Sequence, residues 1–390
     1  MCYNVSMDAF KRLNLLSEMM NLEPAEEHST PVRLAPSKTK VEALCIHPAV
    51  MPNGQRLRML KTLLTSACER NCYYCPFRAG RDFRRATFKP DEMAQTYQAL
   101  HRAGIVQGLF LSSGVVAGGI HTQDLLIDTA EILRHKYQFQ GYIHLKLMPG
   151  AEYDQVLRAM QLADRVSINL EAPNSERLTH LAPGKRYYTE LQQPLRWVEH
   201  IRRTQPAHLG WKGRWPSSTT QYVVGAAGET DLELLSTTAN LHQQVGLGRA
   251  YFSIFHPIHD TPLENLPAEN PLRELRLYQA SFLLRDYAFD VEELPFDGTG
   301  RLPLDSDPKL TWARQHLSQQ PVEINRAARE ELLRIPGIGP TSVKAILRAR
   351  RQSSLRSLSD LRKMGINTER ARPFIMLDGQ RPPQQLALNI

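Results

Sequence analysis

Met59-Leu60-Lys61-Thr62-Leu63-Leu64-Thr65-Ser66-Ala67-Cys68-Glu69-Arg70-Asn71-Cys72-Tyr73-Tyr74-Cys75 joins a mostly apolar run to three cysteines spaced Cys-x3-Cys-x2-Cys. The run Met59–Ser66 predicts a buried β-strand, and the triplet falls in the loop that leaves it. Three thiolates on one loop can hold a metal centre from one side and leave a coordination position open for a ligand. A structural zinc site asks for a fourth Cys or His, and a standard ferredoxin cluster for four cysteines. His101 and His121, the nearest histidines downstream, lack ligand-like spacing to the triplet. On the residues alone, an open iron–sulfur cluster, a zinc ion and a redox or structural role all stay open. The other two cysteines, Cys2 and Cys45, stand alone, as small buried hydrophobes usually do. Five cysteines so unevenly placed do not make a secreted disulfide framework.

Downstream, short apolar runs alternate with amphipathic helical patterns. Strands are predicted at Met59–Ser66, Gly108–Ser112, Tyr142–Leu147, Arg165–Leu170, Thr219–Gly225 and Ala250–His256. Helices are predicted at Pro90–Ala103, Asp124–Tyr137, Asp154–Ala163, Thr189–Arg203 and Thr230–Val245. Such alternation with continuously apolar strands points to an α/β fold, a parallel sheet covered by helices. Six units suit a partial (β/α)6 barrel of TIM type, with active residues at the C-terminal ends of its strands. The expected order is an N-terminal extension over residues 1–58, with a helix at about Met7–Met20, then the barrel over 59–290. A connector rich in Asp, Gly and Pro follows over 291–320, and a small all-α domain over 321–390.

With Tyr74 just before the last cysteine, the triplet resembles the radical S-adenosylmethionine (SAM) superfamily. Ser112-Ser113-Gly114 stands where that superfamily has a small methionine-binding turn, here without the acidic residue of the common Gly-Gly-Glu form. Ser167-Ile168-Asn169-Leu170-Glu171 puts polar side chains where ribose hydroxyls are held, and Gln221–Gly225 resembles the strand whose backbone meets adenine. Glu229 lies one residue from the usual acidic position. The resemblance implies that Cys68, Cys72 and Cys75 bind three irons of a 4Fe–4S cluster whose fourth iron chelates SAM. It further implies that Tyr74, Ser112, Ser113, Gly114, Asn169, Glu171 and Gly225 contact the cofactors, and that an electron donor such as flavodoxin or ferredoxin is needed. For Asn169 and Glu171 the plain alternative is a structural hydrogen-bonding pair at a strand end. For Lys146 it is a solvated or salt-bridged lysine.

Charge separates the tail from the rest. Of 48 Lys and Arg and 40 Asp and Glu in the chain, Lys309–Ile390 holds 15 and 6, so the whole excess of +8 lies there. A polyanion is the natural partner of such a segment. Within it, Leu332-Leu333-Arg334-Ile335-Pro336-Gly337-Ile338-Gly339-Pro340-Thr341-Ser342-Val343-Lys344-Ala345-Ile346 resembles the helix-hairpin-helix of DNA repair proteins. Gly-x-Gly allows close backbone approach, so Gly337, Ile338 and Gly339 can aim N–H groups at a phosphate with help from the helix dipole. Lys344, Arg348, Arg350 and Arg351 add charge. Asn325 is placed to cap a helix over Arg326–Arg334. A second hairpin is suggested by Ser357–Met364 followed by Gly365-Ile366-Asn367. The alternative is a tight helix–helix turn that meets no nucleic acid.

Barrel and hairpin in this order, over roughly Leu60 to Met376, resemble the DNA modification/repair group of radical SAM proteins. That implies an enzyme with duplex DNA as partner. The competing readings are a radical SAM enzyme of structured RNA and a non-enzymatic DNA-binding protein with a structural metal. Apolar residues at 42 % and charged residues at 23 % exclude a disordered chain. The longest uncharged stretch, Ala103–Gln123, holds five glycines and is too polar to span a bilayer. No membrane association and a cytoplasmic location are expected.

Overall fold

The computed structural model describes residues 7–20, 44, 46–50 and 56–383. Cys2, Cys45 and most of the 1–58 extension lie outside the described residues. The chain divides into two compact units, the first running to Glu229 and resuming over Asn240–Glu269. The second comprises Thr230–Ala239 and the chain from Asn270 onward.

In the first unit, helix α1 (Met7–Met20) precedes strands β1 (Ile46–Val50) and β2 (Arg56–Leu63). Then come α2 (Pro90–Arg102), β3 (Gly108–Ser112), α3 (Gly118–Glu131), β4 (Tyr142–Lys146), α4 (Tyr153–Leu162), β5 (Arg165–Ser167), α5 (Ser175–Leu181), α6 (Gln193–Thr204), β6 (Ser217–Val224), the last turns of α7 (Asp231–Val245, whose part up to Ala239 belongs to the second unit) and β7 (Arg249–Ile254). The strands form one sheet in sequence order, parallel from β2 to β7, with β1 antiparallel on the outer edge of β2. The six parallel strands agree with the α/β half-barrel expected from the sequence. The antiparallel β1 was not foreseen.

Side chains alternate between the two faces of a strand. One face carries Leu60, Leu109, Leu111, Ile143, Leu145, Val166 and Phe252, all buried, and is the apolar surface that a layer of helices covers. The other face, inside the curl, carries Lys61, Ser112, His144, Lys146, Ser167, Thr219, Gln221 and Ser253, also buried but polar. This division gives the unit a dry shell and a polar interior.

Three predicted elements shift for identifiable reasons. The strand predicted to Leu170 stops at Ser167, because the Thr220 hydroxyl enters the ladder. It donates to Ile168 O (2.8 Å) and accepts from Leu170 N–H (3.2 Å). Pairing resumes when Glu171 N–H donates to Gln221 O (3.0 Å). The interruption works as a bulge, re-aiming Asn169 and Glu171 at the C-terminal rim. Helix α3 begins six residues before the predicted Asp124, since the Glu69 carboxylate accepts the Gly118 N–H (3.2 Å) and supplies negative charge at the helix start. The helix predicted over Thr189–Arg203 is a π turn, Tyr187–Gln192, running into α6.

In the second unit follow α8 (Pro271–Asp286), α9 (Pro308–His316), β8 (Val322–Glu323), α10 (Arg329–Arg334), α11 (Pro340–Ala349), α12 (Leu358–Lys363), α13 (Thr368–Ala371) and β9 (Ile375–Met376). The predicted connector thus contains a helix, α9. The tail is also not purely helical, because β8 and β9 pair in parallel. Asn325 does not cap a helix: its side chain accepts from Leu355 N–H (2.8 Å) and donates to Leu355 O (3.0 Å). α10 starts at Arg329, where Glu331 takes the Ala328 N–H (2.6 Å). Buried Leu332, Ile335, Ile338, Val343, Ile346, Leu361 and Phe374 make a core that ties the segments together.

The most buried ion pair of the first unit is Arg134–Asp164 (3.1 Å, side chains 0 % and 6 % exposed). Arg134 also donates to the carbonyls of Leu162, Phe139 and Gly141, and its charge lies 3.7 Å from the Trp211 ring centre. Burial lowers its pKa to about 10 while Asp164 opposes the shift. Asp164→Ala leaves that guanidinium without its counter-charge. Urea unfolding should show a loss of about 3 kcal/mol, the usual cost of breaking a buried pair from one side.

Candidate active site

The cysteine loop is built by close backbone contact and by arginines. Gly114 N–H donates to Thr65 O (2.7 Å) and Glu69 N–H to Val115 O (2.8 Å), laying the Ser112–Val115 turn against the loop. A Cβ on Gly114 would stand 2.0 Å from Ala67 O and 3.2 Å from Cys68 Cβ, so only glycine fits. The Arg85 guanidinium donates to four carbonyls, Ser66 (2.8 Å), Phe77 (3.1 Å), Arg78 (2.9 Å) and Arg81 (3.3 Å), and lies over the Phe83 ring. Arg70 reaches Gly184 O (2.6 Å) and Glu190 (2.9 Å), and Arg81 reaches Pro76 O (3.0 Å). Glu190 sits on the π turn, a type of distortion frequent at functional sites.

Two of the thiols already accept backbone hydrogen bonds, Cys68 from Val115 N–H (3.4 Å) and Cys75 from Phe77 N–H (3.4 Å). Cys72 is buried, and burial pushes its thiol up while Lys185 and Arg70 pull it down. N–H groups and an ammonium beside thiolates fit a cluster of net negative charge and tune its potential. None of the three is in a disulfide. Among the described residues no three His, Cys, Asp or Glu side chains converge on a single-ion site. In a cluster each thiolate takes its own iron, so convergence on one point is not what the triplet has to supply.

Lys185, unnoticed in the sequence, pairs with Glu171 (2.9 Å, side chains 10 % and 3 % exposed). Burial works against the Lys185 charge, but Cys72 and Glu171 outweigh it and hold the ammonium well above its usual pKa. The Tyr74 hydroxyl is pushed up by burial and by the nearby Glu171 carboxylate. Glu171 itself has φ +65°, a left-handed conformation that is uncommon away from glycine and is held here by the bulge and the ion pair. The contacts therefore bring together the three cysteines, Ser112–Gly114, Tyr74, Glu171 and Lys185. Asn169 is instead bonded by Lys146, a buried lysine and not a solvated one. The Gly225 N–H is taken by Glu229 (2.6 Å), which also accepts from Ala227 N–H (3.1 Å). That one-residue offset of Glu229 makes it a clamp on the loop after β6.

Residues 62–231 match the family model described as the Radical SAM superfamily. Over that segment the chain is similar to the radical SAM superfamily. Solved structures that resemble it include the FeFe-hydrogenase maturase HydG from Carboxydothermus hydrogenoformans (14 % identity, TM-score 0.44, 58 % of this chain and 51 % of that one). Others are methylornithine synthase PylB (13 %, 0.46, 78 % and 85 %) and a radical SAM methyltransferase from Sphaerobacter thermophilus (17 %, 0.42, 60 % and 68 %). The match takes in about half of the HydG chain. A search of the curated proteins finds no match.

The cofactors that members of the radical SAM superfamily use are a 4Fe–4S cluster and SAM. Bound here, they would supply radical chemistry able to abstract hydrogen from a substrate. The chain's own part would be to hold the cluster through Cys68, Cys72 and Cys75, to fix the loop and to keep water out. No helix among the described residues is long and apolar enough to cross a membrane.

Gly114→Ala should separate the loop from its supporting turn at a cost of about 1–3 kcal/mol, typical of overpacking. Iron and sulfide per chain after anaerobic reconstitution should fall with it. Lys185→Met buries the Glu171 carboxylate without its partner and should cost about 3–5 kcal/mol. Adding Glu171→Gln should restore most of that stability in a double-mutant cycle.

Proposed function

We propose that this radical SAM enzyme acts on DNA, in its modification or repair, using Cys68, Cys72 and Cys75 as cluster ligands and the turn between α10 and α11 as a grip on duplex phosphate. The observation that carries the nucleic-acid part lies beneath that turn. Lys309, buried on α9, donates from Nζ to Ile338 O (2.5 Å). A trans peptide points its carbonyl and the following N–H in opposite directions. Anchoring Ile338 O inward therefore turns the Gly339 N–H outward, at the start of a ten-residue helix whose dipole favours an anion. Among the described residues nothing accepts from that N–H.

The neighbouring residues support the same reading. Gly337 has φ +83°, and a Cβ there would meet Asn367 O at 2.6 Å, so the turn packs on the second hairpin only as glycine. Lys344 and Arg348 are exposed four residues apart on α11, on one side of the helix. Arg350 is spent internally, donating to Ile324 O and Ala327 O. The charged contribution thus comes down to Lys344, Arg348 and the exposed Arg351.

The direct test incubates the reduced, reconstituted enzyme with SAM and duplex DNA and analyses nucleosides by mass spectrometry. The expected result is a new nucleoside together with 5′-deoxyadenosine above the DNA-free level. Product from an RNA stem and none from DNA would move the assignment to RNA. Cys68→Ala, Cys72→Ala or Cys75→Ala should each abolish the cluster's visible absorption, whereas Cys45→Ala should keep it.

For the tail, about two to four neutralised phosphates give a slope of log K against log salt of roughly −2 to −4. Lys344→Ala should lessen that slope by about one. Burial pushes Lys309 down to about 7; Asp307 opposes this, and Arg370 and Arg334 add to it. Duplex affinity should therefore fall as pH rises through 7 and the charge under the turn is lost. Lys309→Met should flatten that profile.

A further inference from the structure

Tyr188 is the most exposed large apolar or aromatic side chain among the described residues, 61 % open to solvent. A single exposed ring is ordinary on a protein surface. This one differs because the segment that carries it is fixed in place. Tyr187, its neighbour, is buried, and the Tyr187 hydroxyl donates to Pro173 O (2.7 Å). The two rings meet edge to face, with centres 5.3 Å apart and planes at 88°. Such a contact occupies at most one face of either ring, so Tyr188 keeps a face for a further partner.

The backbone that carries the ring is tied to the cysteine loop on both sides of it. Arg70, two residues from both Cys68 and Cys72, donates to Gly184 O (2.6 Å) and to Glu190 (2.9 Å), and Tyr188 lies between those points in the chain. The second Glu190 oxygen accepts the Arg186 N–H (2.7 Å), which closes the start of the π turn. Tyr73 N–H donates to Leu181 O (2.7 Å) and joins the two segments a third time. An aromatic side chain held out in water gains nothing from burial. On a fixed support it lowers the ordering cost of whatever stacks on it, because the ring is already in position. Arg186, exposed two residues away, adds a positive charge, while Glu190, the only carboxylate of the turn, is taken up by Arg70.

We propose that Tyr188 is a stacking platform for an unpaired nucleobase, with Arg186 placed for the phosphate beside that base. The proposal rests on the DNA reading above for the identity of the strand. Atoms of a base inside a duplex are shielded by its neighbours, so an enzyme that works on them must take the nucleotide out of the stack. Every base has a π face, so a ring can hold the extruded or neighbouring base without reading its sequence. That suits a protein whose other contacts go to phosphate, which positions the strand and carries no sequence information.

The experiment measures binding of the full-length, cluster-loaded protein to two DNA duplexes that carry the fluorescent base 2-aminopurine, one fully paired and one with that base unpaired in a bulge. A short single strand with the same base is the third probe. The bulged duplex should bind about five- to hundredfold more tightly than the paired one, the worth of one stacked base, and its fluorescence should be quenched on binding. Tyr188→Ala should remove that gain and leave iron content and melting temperature unchanged, as expected of an exposed position. Tyr188→Phe should keep the gain, since stacking needs the ring and not the hydroxyl. Arg186→Gln should lessen the salt slope for the single strand by about 0.7. Equal affinity for bulged and paired duplex overturns the proposal and leaves the DNA reading standing. So does a Tyr188→Ala protein that keeps the gain, and slower reduction of its cluster by flavodoxin would then assign the ring to the electron donor. Quenching of the single strand by a protein that binds neither duplex would keep the platform and remove duplex DNA as partner. A protein that binds none of the three probes overturns both.

Discussion

A carbonyl oxygen, Ala67 O, lies where a side chain on Gly114 would have to be. Through that contact the end of β3 supports the loop that leaves β2, and every other feature of the cysteine site is arranged around it. Val115 N–H can reach Cys68 Sγ only because the turn is this close, and Glu69 can cap α3 only because the loop is pressed onto it. A cluster ligand must be held without freedom to collapse into a disulfide or swing into solvent. Here the restraint is backbone packing, which is stiffer than any side-chain contact that could replace it.

Charge supplies the second layer of restraint. Arg85 fills four carbonyls with one guanidinium, a use of the planar fork that lysine could not reproduce. On the opposite side Lys185 is shared between Glu171 and the field of Cys72. A buried ion pair on its own is weak evidence for stability. Its value here is that a positive group stands beside the Cys72 thiol, and a thiol must ionise before it can take a metal. The same pair holds Glu171 in a left-handed conformation, so the strained residue and the charged site are maintained by one interaction.

Much of this was legible in the sequence, and the failures have physical causes. The β2 to β7 order could be read from apolar runs, because strands buried on the helix-covered face must be apolar whatever the chemistry inside. The Cys-x3-Cys-x2-Cys spacing and the Gly-x-Gly turn are local and survived intact. Lys185 was invisible because its partner, Glu171, is brought to it by a bulge made by the hydroxyl of Thr220, and no pattern announces that a threonine will enter a ladder. Asn325 looked like a helix cap because caps are local, whereas its real partner, Leu355, lies 30 residues on. Glu229 looked misplaced by one residue when judged as a cofactor contact and is well placed as a clamp on Gly225.

Net charge misled in a more instructive way. The first 308 residues carry 33 basic and 34 acidic side chains, so by composition the catalytic unit has no electrostatic character. Composition counts exposed and buried groups alike, and exposed charges are screened within about 10 Å at moderate salt. Several carboxylates of the first unit are placed at helix starts or in pairs with arginine, as Asp164, Glu69 and Glu190 are, while the buried Glu171 and Glu229 sit on loops beyond the strands. The inward positions of β2 to β7 carry Lys61 and Lys146, both buried, and Arg165 and Arg249, both partly exposed. A near-zero sum therefore conceals a separation of sign between the strands β2 to β7, whose charged inward side chains are all basic, and the helices and loops that carry the carboxylates. Strand alternation made that separation readable: once β2 is in register with β3 and β4, the odd-numbered position of Lys61 and the even-numbered positions of Phe110, His144 and Lys146 must share one face.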